Sequence, residues 1–288
     1  MPFLIVNGKT FRWRVGLKKE VETHVTLPKW LDDYIFNELG AKYCRSNADM
    51  TVIDWDKSDM LNYLGTYFPR SYAEAYCIFG DYFINGKPQL LEKDTISIFD
   101  FGCGTGGEIV GLITQIKQHS ERLKVIKVYG MDGNHHALRL CEPVLDLLTS
   151  HIGININFTP IPVTIDDFYD LSILDSVLYD KYDIIITFKA ICEFVSKERF
   201  EKENAYSYII KTLLPKLDQD GLMLLEDITS YSDITNEWLP KMMDAGILTQ
   251  PCKKVHINEG YNLPIYVTHS HQNNDVSKVA WRMITHKK

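Results

Sequence analysis

The run Ile98-Phe99-Asp100-Phe101-Gly102-Cys103-Gly104-Thr105-Gly106-Gly107-Glu108 carries an apolar stretch into a glycine-rich turn. Glycines at such a turn let the backbone approach a ligand closely and let a strand pack tightly against the helix that follows. Their spacing is G-x-G-x-G, through Gly102, Gly104 and Gly106, with Asp100 ahead of them. A second acid, Asp132, stands in Tyr129-Gly130-Met131-Asp132-Gly133-Asn134, at the end of the next apolar run. A doubly wound fold places there the carboxylate that accepts both ribose hydroxyls of a bound nucleoside. Two oxygens suit a carboxylate to that pair. Asp132 would equally cap a helix beginning near His135.

Two further groups of residues have the chemistry to touch a ligand. Thr187-Phe188-Lys189-Ala190-Ile191-Cys192-Glu193 follows an apolar run, in the region outside the carboxyl ends of strands where α/β sheets bind ligands. Lys189 and Glu193 are its candidates for contact with a substrate, and Glu193 also reads as an acid favoured at a helix start. Tyr67, Arg70 and Tyr72 precede the glycine turn. A planar guanidinium clamps a carboxylate well, but Arg70 also reads as one half of a surface ion pair and the tyrosines as core. No metal set stands out: His135 and His136 are adjacent, and His269 and His271 lack a third ligand in sequence.

Positioning such residues calls for strands alternating with helices, and from Ile96 onward the pattern does alternate. It predicts strands near residues 97–101, 125–131, 155–160, 183–188 and 221–228. The helices expected between them span residues 106–119, 135–150, 168–174 and 206–216, with Pro215 ending the last. After Gly246 it predicts strands at 254–257 and 279–285 around a polar surface loop, His269 to Asp275. Upstream, Asn7-Gly8 between apolar runs signals a tight hairpin. Helical spacing covers residues 28–39 and 57–83, with Pro69 interrupting the second. These elements divide the chain into a cap of hairpin and helices, residues 1–90, and a Rossmann-type domain, residues 91–288.

With 288 residues the chain is long enough for a full core, and 45% hydrophobic and 24% charged residues are ordinary globular values. A net charge of −7 gives no broad attraction to phosphate backbones. Arg12, Arg14, Lys18 and Lys19 form only a small basic cluster. No apolar run approaches the roughly 18 residues that span a bilayer, no secretion signal is legible, and the expected location is the cytoplasm. The six scattered cysteines read as reduced thiols.

Asp100 to Glu108 resembles the first motif of class I S-adenosylmethionine-dependent methyltransferases, and Asp132 is similar to their ribose-binding acid. The resemblance spans roughly residues 95–230. It implies a doubly wound sheet of seven strands closed by an antiparallel hairpin, with S-adenosyl-L-methionine as cofactor. Carried over by position, Asp100, Gly102, Cys103, Gly104 and Gly106 would lie beside the methionine part, and Asp132 and Gly133 at the ribose. The Thr164 to Phe168 segment, with Asp166 and Asp167, would flank the adenine, and Phe188, Tyr67 and Arg70 complete the candidate set. A nicotinamide dinucleotide calls for G-x-G-x-x-G under its pyrophosphate, and Glu108 in the first helical turn would repel that group. A cofactor bearing a sulfonium and an ammonium suits the acidic turn better. Residues 61–76 together with 183–194 also resemble a ribosome-assembly branch of methyltransferase-fold proteins, without that branch's cysteine cluster. The resemblance thus implies methyl transfer to an acceptor (small molecule, protein or RNA), with no membrane and no metal partner. Its alternative is a catalytically inactive assembly or interaction protein. Adenine and glutamine amino-methyltransferases carry Asn/Asp-Pro-Pro-Tyr/Phe where this chain has Lys189-Ala190-Ile191-Cys192, which disfavours that class of acceptor.

Overall fold

The computed structural model describes residues 4–6, 9–11, 23–44, 56–86, 88–178, 180–194, 204–232, 237–257 and 263–287. The first described elements are a short antiparallel pair, β1 (Leu4–Val6) and β2 (Lys9–Phe11), with Val6 opposite Lys9; the expected Asn7-Gly8 turn lies outside the described residues. The basic cluster at residues 12–19 lies outside the described residues. Next come β3 (His24–Thr26), α1 (Lys29–Asp33), which runs on as one π-helical turn over Tyr34–Glu38, and the long α2 (Lys57–Gly86). The alternating half consists of β4 (Thr95–Phe101), α3 (Gly107–His119), β5 (Val125–Asp132), α4 (His135–Ile152), β6 (Asn155–Pro162), α5 (Ile173–Val177), β7 (Tyr182–Phe188), α6 (Ile191–Phe194), α7 (Ala205–Leu213) and β8 (Leu217–Ile228). A small ribbon, β9 (Tyr231–Ser232) with β10 (Glu237–Trp238), leads into α8 (Leu239–Leu248), β11 (Cys252–Ile257), β12 (Leu263–His269) and β13 (Gln272–His286).

The main sheet has nine strands in the order β3-β12-β13-β8-β7-β4-β5-β6, with β11 paired to β13 off that path. All its pairings are parallel except those of β13, which runs antiparallel to β8, β12 and β11. Parallel strands are buried on both faces, and β7 shows it, with every residue from Tyr182 to Phe188 buried. One face packs Ile96, Ile98, Ile184, Ile186, Leu222 and Leu224 under α2, α3 and α4. The other packs Phe99, Phe101, Ile185, Met223 and Leu225 under α7 and α8. Helices on both faces make this a doubly wound, three-layer α/β fold.

Several expectations are corrected. The sheet has nine strands rather than seven, because β3 and β11 add to its edges. The Lys254–Ile257 stretch does pair antiparallel with β13, as expected, but the strand joined to β13 by a tight hairpin turn is an additional one, β12. Residues 269–275 form the tip of that hairpin, with His269 and Asp275 buried rather than in an open loop. The helix expected at 168–174 begins only at Ile173, since the Asp167 and Asp170 side chains accept from the N–H groups of Tyr169 and Ser172 and turn the chain instead. Pro69 does not interrupt α2. Gly107 and Gly111 of α3 lie so close to the Phe68 and Tyr72 carbonyl oxygens that an added Cβ would stand 2.5 and 2.4 Å from them. That intimate packing keeps the helix continuous through the proline, against its local preference.

Candidate functional site

The glycine turn leaves the carboxyl end of β4 and opens α3, as its spacing predicts. Gly102, Gly104 and Gly106 have φ of +78°, +47° and +80°, the left-handed region where a side chain is strained. A Cβ on Gly102 would stand 2.6 Å from that of Ala190, and one on Gly106 2.4 Å from Cys141 Sγ. The turn is therefore wedged between β7's exit loop and α4. The Asp132 carboxylate closes it from the end of β5, where Oδ2 accepts from Gly104 N and Oδ1 from Asn134 N, both at 2.8 Å. The α4 cap is supplied by Asn134, whose Oδ1 accepts from His136 N and Ala137 N. Asp132 is thus no helix cap. Each of its oxygens keeps a further lone pair for a ligand.

Negative groups crowd this turn. Asp100 is fully buried, with the Glu108 carboxyl as its hydrogen-bonding neighbour. Burial drives its pKa well up, and the charges of Glu108 and Asp132 add to the rise. Glu108, in the first turn of α3, is raised to about 7, chiefly by burial. Glu74 of α2 and Glu226 of β8 are buried on the same side, and both Glu226 oxygens are without hydrogen-bond partners. Burial followed by the Glu74 charge pushes Glu226 well up. The cation among them is Lys189, whose Nζ donates to Glu74 Oε2 at 2.6 Å. Lys189 has φ +52° just past β7, which turns its side chain inward, so its charge is committed to Glu74 rather than offered to an acceptor. Glu193 is exposed on the short α6, yet crowding by the surrounding chain raises it to about 8, with Asp132 and Asp227 adding repulsion. Asp227 ties α6 to β8: its Oδ2 accepts from Cys192 N at 3.0 Å and from Tyr206 Oη at 2.9 Å.

Other predicted residues are placed less directly. Phe188 is buried in the core beneath α2, and Cys103 directs its sulfur under the turn, toward Gly130. Gly133 separates Asp132 from the cap. Asp166 and Asp167 are exposed on the loop leaving β6, while Phe168 is packed in the opposite core. Arg70 is committed elsewhere, its Nε and Nη2 making a two-pronged pair with Asp275 at 2.8 Å each. Tyr67 stacks between Arg70 and Tyr63. Tyr63 is the aromatic that meets the turn, its Oη 3.2 Å from where a Gly104 Cβ would be. Burial, then Glu193, Glu108 and Asp132, raise its pKa well above the usual phenol range. The sequence reading singled out Tyr67 and Arg70 instead, and one more helical turn back would have found Tyr63. Glu74 and Glu226 carried no signal, being charges inside otherwise apolar patterns.

All six cysteines are free. Among the described residues no group of three or more His, Cys, Asp or Glu is arranged to hold a metal ion, and no helix is long and apolar enough to cross a membrane.

Residues 88–169 match the family description N-6 DNA Methylase. Comparison with curated proteins gives no match. Among solved structures, an S-adenosyl-L-methionine-dependent methyltransferase assigned in Methanococcus maripaludis aligns with 85% of this chain and 98% of its own, at 12% identity and a TM-score of 0.46. A class I methyltransferase assigned in Listeria monocytogenes aligns at 14% identity and a TM-score of 0.43, over 83% of this chain and 63% of its own. The rRNA methyltransferase AviRa from Streptomyces viridochromogenes aligns at 12% identity and 0.40, over 74% and 83%. The fold assignment rests on the strand order and the turn described above. The chain has the Rossmann-type architecture of class I methyltransferases, and over residues 88–169 its sequence is similar to the N-6 DNA methylase family.

Proposed function

We propose that this chain binds S-adenosylmethionine at the glycine turn and transfers its methyl group to an acceptor. The observation that carries the reading is the turn itself: three left-handed glycines between β4 and α3, latched to Asp132 at the end of β5 and ringed by carboxyl groups. Those residues suit a cation. Burial raises the pKa of both Asp100 and Glu108, which gain a counter-charge when a sulfonium and an ammonium arrive, and Lys189 beside them is already neutralised by Glu74. A diphosphate would meet repulsion in the same place.

Bound there, the cofactor supplies an electrophilic methyl group. The protein supplies alignment and exclusion of water, with α2 covering the turn through Tyr63. Asp132 would hold the ribose hydroxyls with the lone pairs that Gly104 and Asn134 leave unused. Crowding raises the pKa of Glu193 to about 8 in the ligand-free site. A cation nearby lowers its pKa, so it becomes a carboxylate able to accept the acceptor's proton only when the site is filled. The matched family's name refers to DNA, yet Lys189 and Ala190 replace the amine-gripping residues of adenine methylases and Lys189 faces Glu74. We therefore place the acceptor outside that class.

Isothermal titration with S-adenosylmethionine and S-adenosylhomocysteine tests the reading. Saturable binding of both, weakened by Asp132→Asn in a variant that still melts cooperatively, is the expected result. Folded protein that binds neither would overturn it.

A further inference from the structure

Among the described residues, three of the most exposed large apolar side chains lie within eleven residues of one another, at and just past the carboxyl end of β8. Ile228 is 37% exposed, Tyr231 46% and Trp238 39%. Tyr231 and Trp238 face each other across the β9–β10 ribbon, paired in register, with their rings edge to face at 5.4 Å. The ribbon's base is pinned by a hydrogen bond from Leu239 N to Ser230 O at 3.0 Å, and Trp238 is fixed further as the residue that starts α8. Two aromatic rings held this way on a backbone ladder are preorganised and exposed, which is costly to maintain for packing alone.

Their position gives the pair a use. Tyr231 follows Asp227 by four residues, at most about 14 Å of extended chain, and Asp227 is the residue that binds the α6 backbone beside Glu193. Because β8 runs parallel to β7 and β7 to β4, the ribbon leaves the sheet at the same edge as α6 and the glycine turn, next to the strand that leads into α6 and one strand further from the turn. The charge around them is equally informative. Lys241, one turn into α8, pairs with Glu237 at 3.2 Å, which leaves that cation neutralised. The whole chain carries a net charge of −7. A phosphate-bearing polymer finds little here to neutralise it, whereas a neutral flat ring finds an aromatic face and edge.

Building on the methyltransferase reading, we propose that Tyr231 and Trp238 form a stacking platform that holds the methyl acceptor, and that the acceptor is a small molecule with a planar heteroaromatic ring. The ring lies against the aromatic pair, and the polar atom to be methylated points inward, toward Glu193.

The test uses the full chain saturated with S-adenosylhomocysteine, so that the adenine part of the cofactor site is filled. Adenosine and nicotinamide are titrated as neutral planar probes, with tryptophan emission as readout and the Trp238→Phe protein as reference for the other tryptophans. Saturable quenching is expected that is lost in the reference. By calorimetry, Tyr231→Ala and Trp238→Ala should each weaken probe binding roughly 5- to 150-fold, as base-on-ring stacking does, and Tyr231→Phe should restore it. Binding of S-adenosylhomocysteine itself should be unchanged in all variants. Absence of quenching while S-adenosylhomocysteine still binds would overturn the platform and leave the methyltransferase reading standing. Loss of S-adenosylhomocysteine binding by folded wild-type protein would instead sink that reading, and the platform's role with it. A single-stranded oligoadenylate that binds more than tenfold tighter than adenosine would overturn the small-molecule assignment in favour of a nucleic acid.

Discussion

Replacing Glu108 with glutamine tests the electrostatics of the site without any ligand. The Glu108 carboxyl is 5% exposed, and burial raises its pKa from an ordinary 4.5 to about 7. A carboxyl with a raised native pKa binds more protons folded than unfolded. Its stabilising influence is therefore complete below about pH 4.5 and is lost as pH climbs through 7. At about 1.36 kcal/mol per pH unit, the loss by pH 8 is about 3 kcal/mol. Glutamine keeps the shape and cannot ionise, so Glu108→Gln should match the wild type near pH 4.5 and exceed it by about 3 kcal/mol at pH 8. With an unfolding entropy of about 2.1 cal/mol/K per residue, that is a gain of about 5 °C in melting temperature. Thermal melts at half-unit intervals from pH 4.5 to 8.5, followed by circular dichroism, measure it. Parallel stability profiles for the two proteins would refute the reasoning, since they would mean that Glu108 titrates alike in the folded and unfolded chain.

Other perturbations separate the remaining forces. Lys189→Met leaves Glu74 buried without its partner and should cost about 3–5 kcal/mol in urea unfolding; the double variant with Glu74→Gln should recover most of it, and no recovery would argue against the pair. Gly106→Ala adds left-handed strain of about 1–2 kcal/mol to a clash with Cys141 worth about 1–3 kcal/mol. Adding Cys141→Ala should relieve the second part only, so full rescue would show that φ at Gly106 does not matter. Arg70→Ala strands the buried Asp275 carboxylate and should destabilise by about 3–5 kcal/mol, whereas Arg70→Ala with Asp275→Asn should lie much nearer the wild type by thermal melt. Finally, affinity for S-adenosylmethionine should rise between pH 6 and 8, by up to about tenfold per pH unit for each proton released, and a flat profile in calorimetry would show that Asp100 and Glu108 do not face the cation.

The alternating half was legible because its signals are local. Continuous apolar runs gave β4, β5, β7 and β8 to within a few residues, and the glycines could be read as a turn since their spacing serves that conformation. What escaped depended on partners distant in sequence. β12 is the exception, since its Ile265-Tyr266-Val267-Thr268 run itself favours a strand, and β13 and β3 flank it. Polar residues 269–275 read as loop because nothing nearby announces that Asp275 meets Arg70 or that His269 stacks on Phe36. The same limit applies in the site, where Asp132 was visible from its distance to the glycines. Glu74 and Glu226, each buried by elements remote from the motif, were not.

The ties between the two ends of the chain also set an order of events. β3 pairs with β12, the Asp32 carboxylate accepts from Ser270 N and Oγ, and Arg70 and Tyr43 both reach Asp275. Each joins residues 24–70 to residues 263–275. On the ribosome residues 24–70 therefore emerge well before their partners, their docking surface completed only when the β12–β13 hairpin has been synthesised. Contacts this distant in sequence slow folding, and the exposed apolar faces of α1 and α2 must be kept from other partners in the interval. The segment that covers the glycine turn is thus held down by the β12–β13 hairpin, so the site closes only after residues 263–275 have been made.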